Sequence, residues 1–303
     1  MRPALPVTII GGYLGAGKTT LVNHLLRHAD GVRIAVLVNE FGALPIDADL
    51  IMGQTDNVIS IAGGCVCCSY GNDLILALND LAATDAPPDH VVIESSGVGI
   101  PGAIGATINL LENYVLDGIV VIADAETVRT TASDKYMGDT VSLQLRQADF
   151  LILNKVDLVA QEETEAVLHW LDGVAPQALH VRATRAAVPP PMILQSFLNR
   201  HTTRDQGLHA NPLSASIRAV ELEGEAVADL AAFAQSLIDA GYFRAKGFVR
   251  GSDGALMTVQ IVGRRWETSP APDGAEPGVV ALKVIPERPP GDGRMPDPAR
   301  QLD

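Results

Sequence analysis

Cysteine is almost absent from this chain. Three occur in 303 residues, and all three fall within four positions, at Cys65, Cys67 and Cys68. An odd count with such tight spacing is wrong for a secreted disulfide framework. Thiols of this kind stay available in a reducing compartment, so the expected location is the cytoplasm. Aromatic residues are scarce too, at 4%, so the core must rest on Val, Ile, Leu and Ala. Basic residues are outnumbered, 22 Lys and Arg against 36 Asp and Glu, for a net charge of −14. That balance argues against a nucleic-acid backbone as partner, which needs clustered Lys and Arg, and against an anionic membrane surface. No apolar run approaches the ~18 residues of a membrane span, and Met1 to Pro6 lead straight into a strand with no secretory pattern.

What is present suffices for a large core. Apolar residues make up 47% of the chain, and the length suggests about two domains. Short apolar runs at 7–10, 34–38, 58–61, 90–94, 118–124 and 150–153 read as buried strands. Helical spacing follows at 19–26 and at 72–81. Continuous apolar strands alternating with helices predict an α/β fold: a doubly wound, mainly parallel sheet covered on both faces. Composition shifts near residue 186, where Pro189, Pro190 and Pro191 open a polar stretch. The expected organisation is a P-loop NTPase domain over 1–186, a linker over 187–213, a small α+β domain over 214–286 and a disordered tail over 287–303.

The polar motifs fall at the carboxyl ends of the strands, where ligands of such sheets bind. Gly12-Tyr13-Leu14-Gly15-Ala16-Gly17-Lys18-Thr19 fits G-x-x-x-x-G-K-[ST] in full. Gly15 and Gly17 let backbone N–H groups curl around phosphate oxygens without a Cβ in the way. Lys18 supplies a point charge, the Thr19 hydroxyl reaches Mg²⁺, and the helix opens its positive end toward the anion. Gly12, Gly15, Ala16, Gly17, Lys18, Thr19 and Thr20 are the expected phosphate-binding set. Asn154-Lys155-Val156-Asp157 follows the strand at 150–153 and has the form of a guanine reader. The Asp157 carboxylate can accept from two guanine donors that adenine does not pair in this way. Asn154 can fix the loop and meet the base edge, and Lys155 can lie over the ring. His180 to Thr184 offers backbone amides to the same pocket.

Mg²⁺ needs an acid beside Thr19. Glu94, in Glu94-Ser95-Ser96-Gly97, is favoured because the Gly97 N–H can sense the γ-phosphate. Asp47 and Asp124 are further candidates. No Gln stands where Ras-like enzymes hold the attacking water, which leaves Glu40 or Glu94 for that task.

Taken together, Gly12–Thr19, Asn39-Glu40-Phe41-Gly42, Gly63-Gly64-Cys65-Val66-Cys67-Cys68, Glu94–Gly97 and Asn154–Asp157 resemble the CobW family of GTP-dependent metallochaperones, of the SIMIBI class of P-loop GTPases. Relatives of that family insert nickel into urease and hydrogenase. The resemblance spans roughly residues 5–285, densest in the first half. It implies a GTPase domain that binds metal through Cys65, Cys67 and Cys68, and a C-terminal domain that Arg244 to Val249 resembles. Chemistry supports the carry-over: Zn²⁺ favours tetrahedral thiolates, and three of them leave one corner open to water, an acid of the Glu40 loop or a partner's side chain. Two departures stand out. Val38 and Ala43 occupy places where some members carry extra acids, and only His201 and His209 lie near the linker, where many members carry a histidine-rich stretch.

The expected activity is therefore slow GTP hydrolysis coupled to carriage of a divalent metal, zinc first and cobalt second, to a client metalloprotein. The partners are a guanine nucleotide and that client, with no nucleic acid and no membrane. Two other classes fit parts of the pattern. One is a zinc- or redox-sensing regulator that uses the same thiols. The other is an ATP-dependent P-loop enzyme such as a kinase, against which Asp157 argues.

Overall fold

The structure is a computed structural model and describes residues 4–38, 58–62, 72–194, 217–224, 227–272 and 274–284. Seven strands form a wholly parallel sheet: β1 (Leu5–Gly11), β2 (Ile34–Val38), β3 (Val58–Ala62), β4 (His90–Glu94), β5 (Tyr114–Asp124), β6 (Phe150–Asn154) and β7 (Leu179–Arg182), in the order β3-β2-β4-β1-β5-β6-β7. Residues alternate between its two faces. Ile9, Ile93, Val121, Leu151 and Leu153 point to one core, and Ile10, Val92, Val120, Ile122, Phe150 and Ile152 to the other. Both faces are apolar, which is why the strands read as unbroken runs rather than alternating ones.

Helix α1 (Lys18–Arg27) lies on the second face, with Leu21, Val22 and Leu25 buried. The first face is covered by α2 (Asn72–Ala82), α3 (Pro101–Ile108), α4 (Val128–Ala132), α5 (Gly138–Arg146) and α6 (Gln161–Val174). A second sheet is antiparallel: β8 (Ile217–Leu222), β9 (Tyr242–Arg250), β10 (Leu256–Val262), β11 (Arg265–Pro270) and β12 (Gly278–Val284), in the order β11-β10-β9-β12-β8. The helix Leu230–Asp239 packs on it, and its Asp229 cap accepts from Ala231 and Ala232 N–H.

The second sheet also completes the first domain. Phe243, Val262 and Leu282 lie in the same core as Phe150 and Ile152, and the Phe150 and Phe243 rings meet edge to face with centroids 6.4 Å apart. Gly263, in the turn after β10, takes a φ of +63°, and a Cβ there would stand 2.3 Å from the Asp149 carbonyl oxygen. Only glycine allows the turn to sit so close to the start of β6.

Val188 to Leu194 belong to this core as well. The composition assigns them to a linker, yet Val188, Met192, Ile193 and Leu194 are buried, and Pro190–Ile193 form a short helical turn, α7. The three prolines end one element and stiffen the next; they do not mark solvent-exposed chain. The rest of the expected linker and the whole of the expected tail, 287–303, lie outside the described residues.

One polar cluster pins the two domains together. The pairing of β1 with β5 shifts between Val7 and Thr8, so that Asp117 is the extra residue of a bulge. The bulge aims its carboxylate inward. Arg244 of β9 donates to Asp117 Oδ1 at 2.5 Å and to the Met192 and Ile193 carbonyls at 3.3 and 3.0 Å. Thr8 Oγ1 lies 3.2 Å from Asp117 Oδ2 and 2.9 Å from His90 Nε2. Arg244, Asp117, Thr8 and His90 are all buried. Burial pushes the His90 pKa down to about 4, Asp117 opposing the shift and Arg244 adding to it. The acid within β5 explains why composition places the start of that strand at 118 rather than 114.

Candidate functional site

The glycine-rich segment joins β1 to α1 at the carboxyl edge of the sheet, between β4 and β5. Gly17 has a φ of +114°, and a Cβ there would stand 2.6 Å from Asn154 Nδ2. The turn needs glycine both for its handedness and for that approach. Lys18 Nζ donates to the Gly12 and Tyr13 carbonyls at 3.0 and 3.4 Å, so the lysine lies along its own loop. Ala16 is buried, whereas Gly15 and Thr20 are exposed.

Thr19 Oγ1 donates to Glu94 Oε1 at 2.9 Å, and Glu94 is 3% exposed. The two oxygens expected to serve Mg²⁺ are thus neighbours at the end of β4. Hard oxygen donors of this type suit that ion. Asp124 is engaged elsewhere. Its Oδ2 pairs with Lys155 Nζ at 2.6 Å and its Oδ1 accepts from Glu126 N–H at 2.9 Å. Of the two strand-end acids, Glu94 is the one beside the hydroxyl.

Asn154 braces the loop. Its Nδ2 donates to the Ala16 carbonyl at 2.9 Å and its Oδ1 accepts from Ala186 N–H at 2.7 Å. Both ends of the amide are occupied within the protein, so Asn154 ties the phosphate loop to the 183–187 turn rather than reaching outward to a base edge. Lys155 adopts φ +63° and starts a 3₁₀ turn over Val156–Leu158 that leaves Asp157 exposed. The Val156 N–H donates to the Ala183 carbonyl, which holds the 183–187 turn alongside Asp157. His180 to Arg182 belong to β7, a strand that composition alone does not distinguish.

The loop after β4 is held by a residue with no sequence signal. Gln144, 1% exposed on α5, donates through Nε2 to the Gly97 and Gly99 carbonyls at 3.2 and 2.7 Å. Gly97 also packs on Leu14, where a Cβ would meet the Leu14 side chain at 2.4 Å. Three residues later Gln147 Oε1 accepts from Gly102 N–H in the first turn of α3. Helix α5 therefore fixes the loop whose Gly97 amide is the expected γ-phosphate sensor. A polar residue among apolar neighbours on a helix looks like a surface position until the loop it serves is in place.

Glu40, Asp47, Cys65, Cys67 and Cys68 lie outside the described residues. The strands that lead to them are described. Val38 pairs with both Ala62 and Glu94, so the ends of β3, β2 and β4 are level. Neighbouring strands stand ~4.8 Å apart, which puts Ala62 roughly 10 Å from Glu94 along the sheet edge. Cys65 follows Ala62 by three positions.

A parallel sheet with a complete phosphate loop after its first strand, an acid beside the loop threonine and an Asn-Lys-x-Asp turn defines a P-loop protein of the GTP-binding type. The chain belongs to the CobW/HypB/UreG family, whose nucleotide-binding domain matches residues 6–182. Among curated relatives it is similar to the zinc chaperone CobW of a Sinorhizobium species, at 34% identity over 191 residues covering 54% of each chain. It is also similar to the zinc chaperone YjiA of Escherichia coli, at 36% identity over 173 residues, 54% of this chain and 52% of that one. The chain thus spans about half the length of these relatives. The crystal structure of Zn(II)-bound YjiA GTPase from E. coli shares the fold, with a TM-score of 0.50 at 22% identity, covering 94% of this chain and 96% of the other. Among the described residues no helix is long and apolar enough to cross a membrane.

Proposed function

We propose that this chain is a Mg²⁺-dependent, cytoplasmic GTPase that carries a divalent metal ion on Cys65, Cys67 and Cys68 and hands it to a client protein. The observation that carries the reading is the level edge of β3, β2 and β4. It sets the chain just before the cysteines about two strands from the Thr19–Glu94 pair. A change at the γ-phosphate has a short path to Ala62, across the ends of adjacent strands, and the cysteines follow Ala62 in the chain. Membership of the family supports GTP as the nucleotide, and Asp157 is the residue that selects guanine. The relatives' names make zinc the first metal; cobalt is second on donor chemistry.

Thr19 and Glu94 would hold Mg²⁺, which supplies charge neutralisation of the β- and γ-phosphates. Lys18 swings from the Gly12 and Tyr13 carbonyls to the same oxygens. Asn154 keeps the Ala16 carbonyl turned back so that the loop amides face the phosphate. Gln144 holds the Gly97 and Gly99 carbonyls and so fixes the loop that carries the Gly97 N–H, the amide that would sense the γ-phosphate. Glu40 or Glu94 orients the attacking water. Hydrolysis then removes the anion that orders the loop, and the thiols release their cargo. With no arginine supplied by a partner, turnover is on the order of 10⁻⁴ s⁻¹.

The test compares zinc affinity in the presence of a non-hydrolysable GTP analogue and of GDP. The two should differ about 5–150-fold, the usual range of such coupling. Equal affinities would refute the coupling, and zinc binding that survives replacement of all three cysteines by serine would refute the assignment of the metal site. Asp157→Asn should lose the preference for GTP over xanthosine triphosphate in direct competition.

A further inference from the structure

A cleft of about 410 Å³ opens between the two domains, away from the phosphate loop, and is lined by Arg146, Gln147, Asp149, Arg264, Arg265 and Trp266 among others. Its charge runs against that of the chain. The protein carries −14 overall, yet three guanidinium groups meet here against one carboxylate. That carboxylate is already engaged. Asp149 accepts from Arg265 Nε at 2.9 Å and NH2 at 3.2 Å, and from Ile119 N–H at 2.8 Å. Arg264 spends one N–H on the Pro176 carbonyl at 3.1 Å, and a guanidinium has five donors. Neither Arg146 nor Arg264 has a carboxylate within ion-pair distance among the described residues, and both are exposed.

The cleft begins at the first residues of β11. That strand is an edge of the antiparallel sheet, paired on one side with β10. An extended polypeptide can add to such an edge through main-chain hydrogen bonds. We propose that this cleft docks an acidic, extended segment of the partner protein, its carboxylates taken by Arg146 and Arg264 while its backbone runs along β11. Charge complementarity selects the acidic partner, since forked guanidinium–carboxylate pairs are both strong and directional. The spread of the arginines over two domains, beside a strand edge that is unpaired among the described residues, selects a polypeptide over a small anion. The assignment rests on the reading of the chain as a carrier with a client.

The cleft is also wired to the nucleotide site. Gln147, in its wall, accepts from Gly102 N–H, and Gln144 one turn earlier holds Gly97 and Gly99. A segment seated on Arg146 thus bears on the turn of helix that fixes the γ-phosphate loop.

The chain has two tryptophans, so Trp170→Phe leaves Trp266 as a reporter inside the cleft. The experiment titrates this full-length variant with a hexaglutamate peptide, a hexalysine peptide and citrate at one ionic strength, reading tryptophan emission. Hexaglutamate should give a saturable change, and the further substitutions Arg146→Ala and Arg264→Ala together should weaken it at least about tenfold. Both arginines are exposed, so the variant should fold, which unchanged GTP binding verifies. No saturable change with hexaglutamate, undiminished binding by the double variant, or citrate saturating at the same concentration would each overturn the proposal. Because none of the described residues that line the cleft lies in the phosphate loop, loss of peptide binding with intact nucleotide-dependent zinc affinity condemns the docking site alone. The reverse result condemns the carrier reading alone.

Discussion

Replacing Arg244 by methionine should destabilise the protein in a way that depends on pH with a definite sign. The substitution keeps the length of the side chain and its packing near Phe150 but leaves Asp117 buried without its guanidinium. Breaking one side of a buried pair costs about 3–5 kcal/mol. His90 then decides how that cost varies. In the parent protein its pKa is about 4, held down by burial first and by Arg244 as well. Below the ordinary value of 6.5 the unfolded chain binds a proton that the folded imidazole refuses, so stability falls as pH drops from 6.5 toward 4. At ~1.4 kcal/mol per unit, the loss at pH 5 is about 2 kcal/mol. Without Arg244, the His90 imidazolium becomes the natural partner for Asp117, 3.7 Å away. Lys246, Asp89 and Asp149, other charges that act on the cluster, keep their places in the variant. Burial still holds the imidazole down, but with the repulsion of Arg244 gone the folded pKa of His90 should rise, and the acid penalty at this residue should shrink. The gap between parent and variant should therefore shrink between pH 8 and pH 5, by at most about 2 kcal/mol. Urea titrations of both proteins at the two pH values measure this, and an NMR titration of the His90 ring in each protein separates its share from that of Asp149 and Lys246, which Arg244 also touches electrostatically. A gap independent of pH, or one below about 1 kcal/mol at pH 8, would refute the reasoning.

Three further outcomes are expected. Asn154→Ala removes two buried hydrogen bonds that shape the phosphate loop; it should cost about 1–3 kcal/mol in stability and weaken GTP and GDP alike, as nucleotide titration would show. Gln144→Leu frees the Gly97 and Gly99 carbonyls while filling the same space; single-turnover hydrolysis should slow at least about tenfold, the equivalent of ~1.4 kcal/mol, with GDP affinity unchanged. Glu94→Gln keeps a hydrogen bond to Thr19 but removes the charge; the Mg²⁺ concentration needed for half-maximal GTP binding should rise, read from nucleotide affinity at graded Mg²⁺.

The parts of this molecule that were legible in sequence are those with a local cause. Gly12–Thr19 reads as a phosphate loop because glycines without a Cβ let backbone amides close on an anion beside a lysine and a threonine, and the flanking strand and helix follow from apolar spacing. The strand-end acids were visible for the same reason, and the structure sorts Glu94 from Asp124 by their partners. What sequence could not show is what depends on distant chain. Gln144 is an ordinary helix residue until the Gly97 loop folds onto it. Asp117 interrupts an apolar strand, and partners far along the chain explain it, Arg244 127 positions away among them. Val188 to Leu194 look like linker because prolines commonly punctuate chains, whereas here they wedge between two domains.

That wedge has a practical consequence for anyone who wishes to dissect the molecule. A gene truncated after Ala186 would yield a nucleotide module stripped of Val188, Ile193, Phe243 and Val262, with greasy side chains such as Phe150 and Ile152 newly exposed on one side of its sheet. Such a fragment invites precipitation, so separating the halves calls for polar resurfacing of that face, not merely a stop codon.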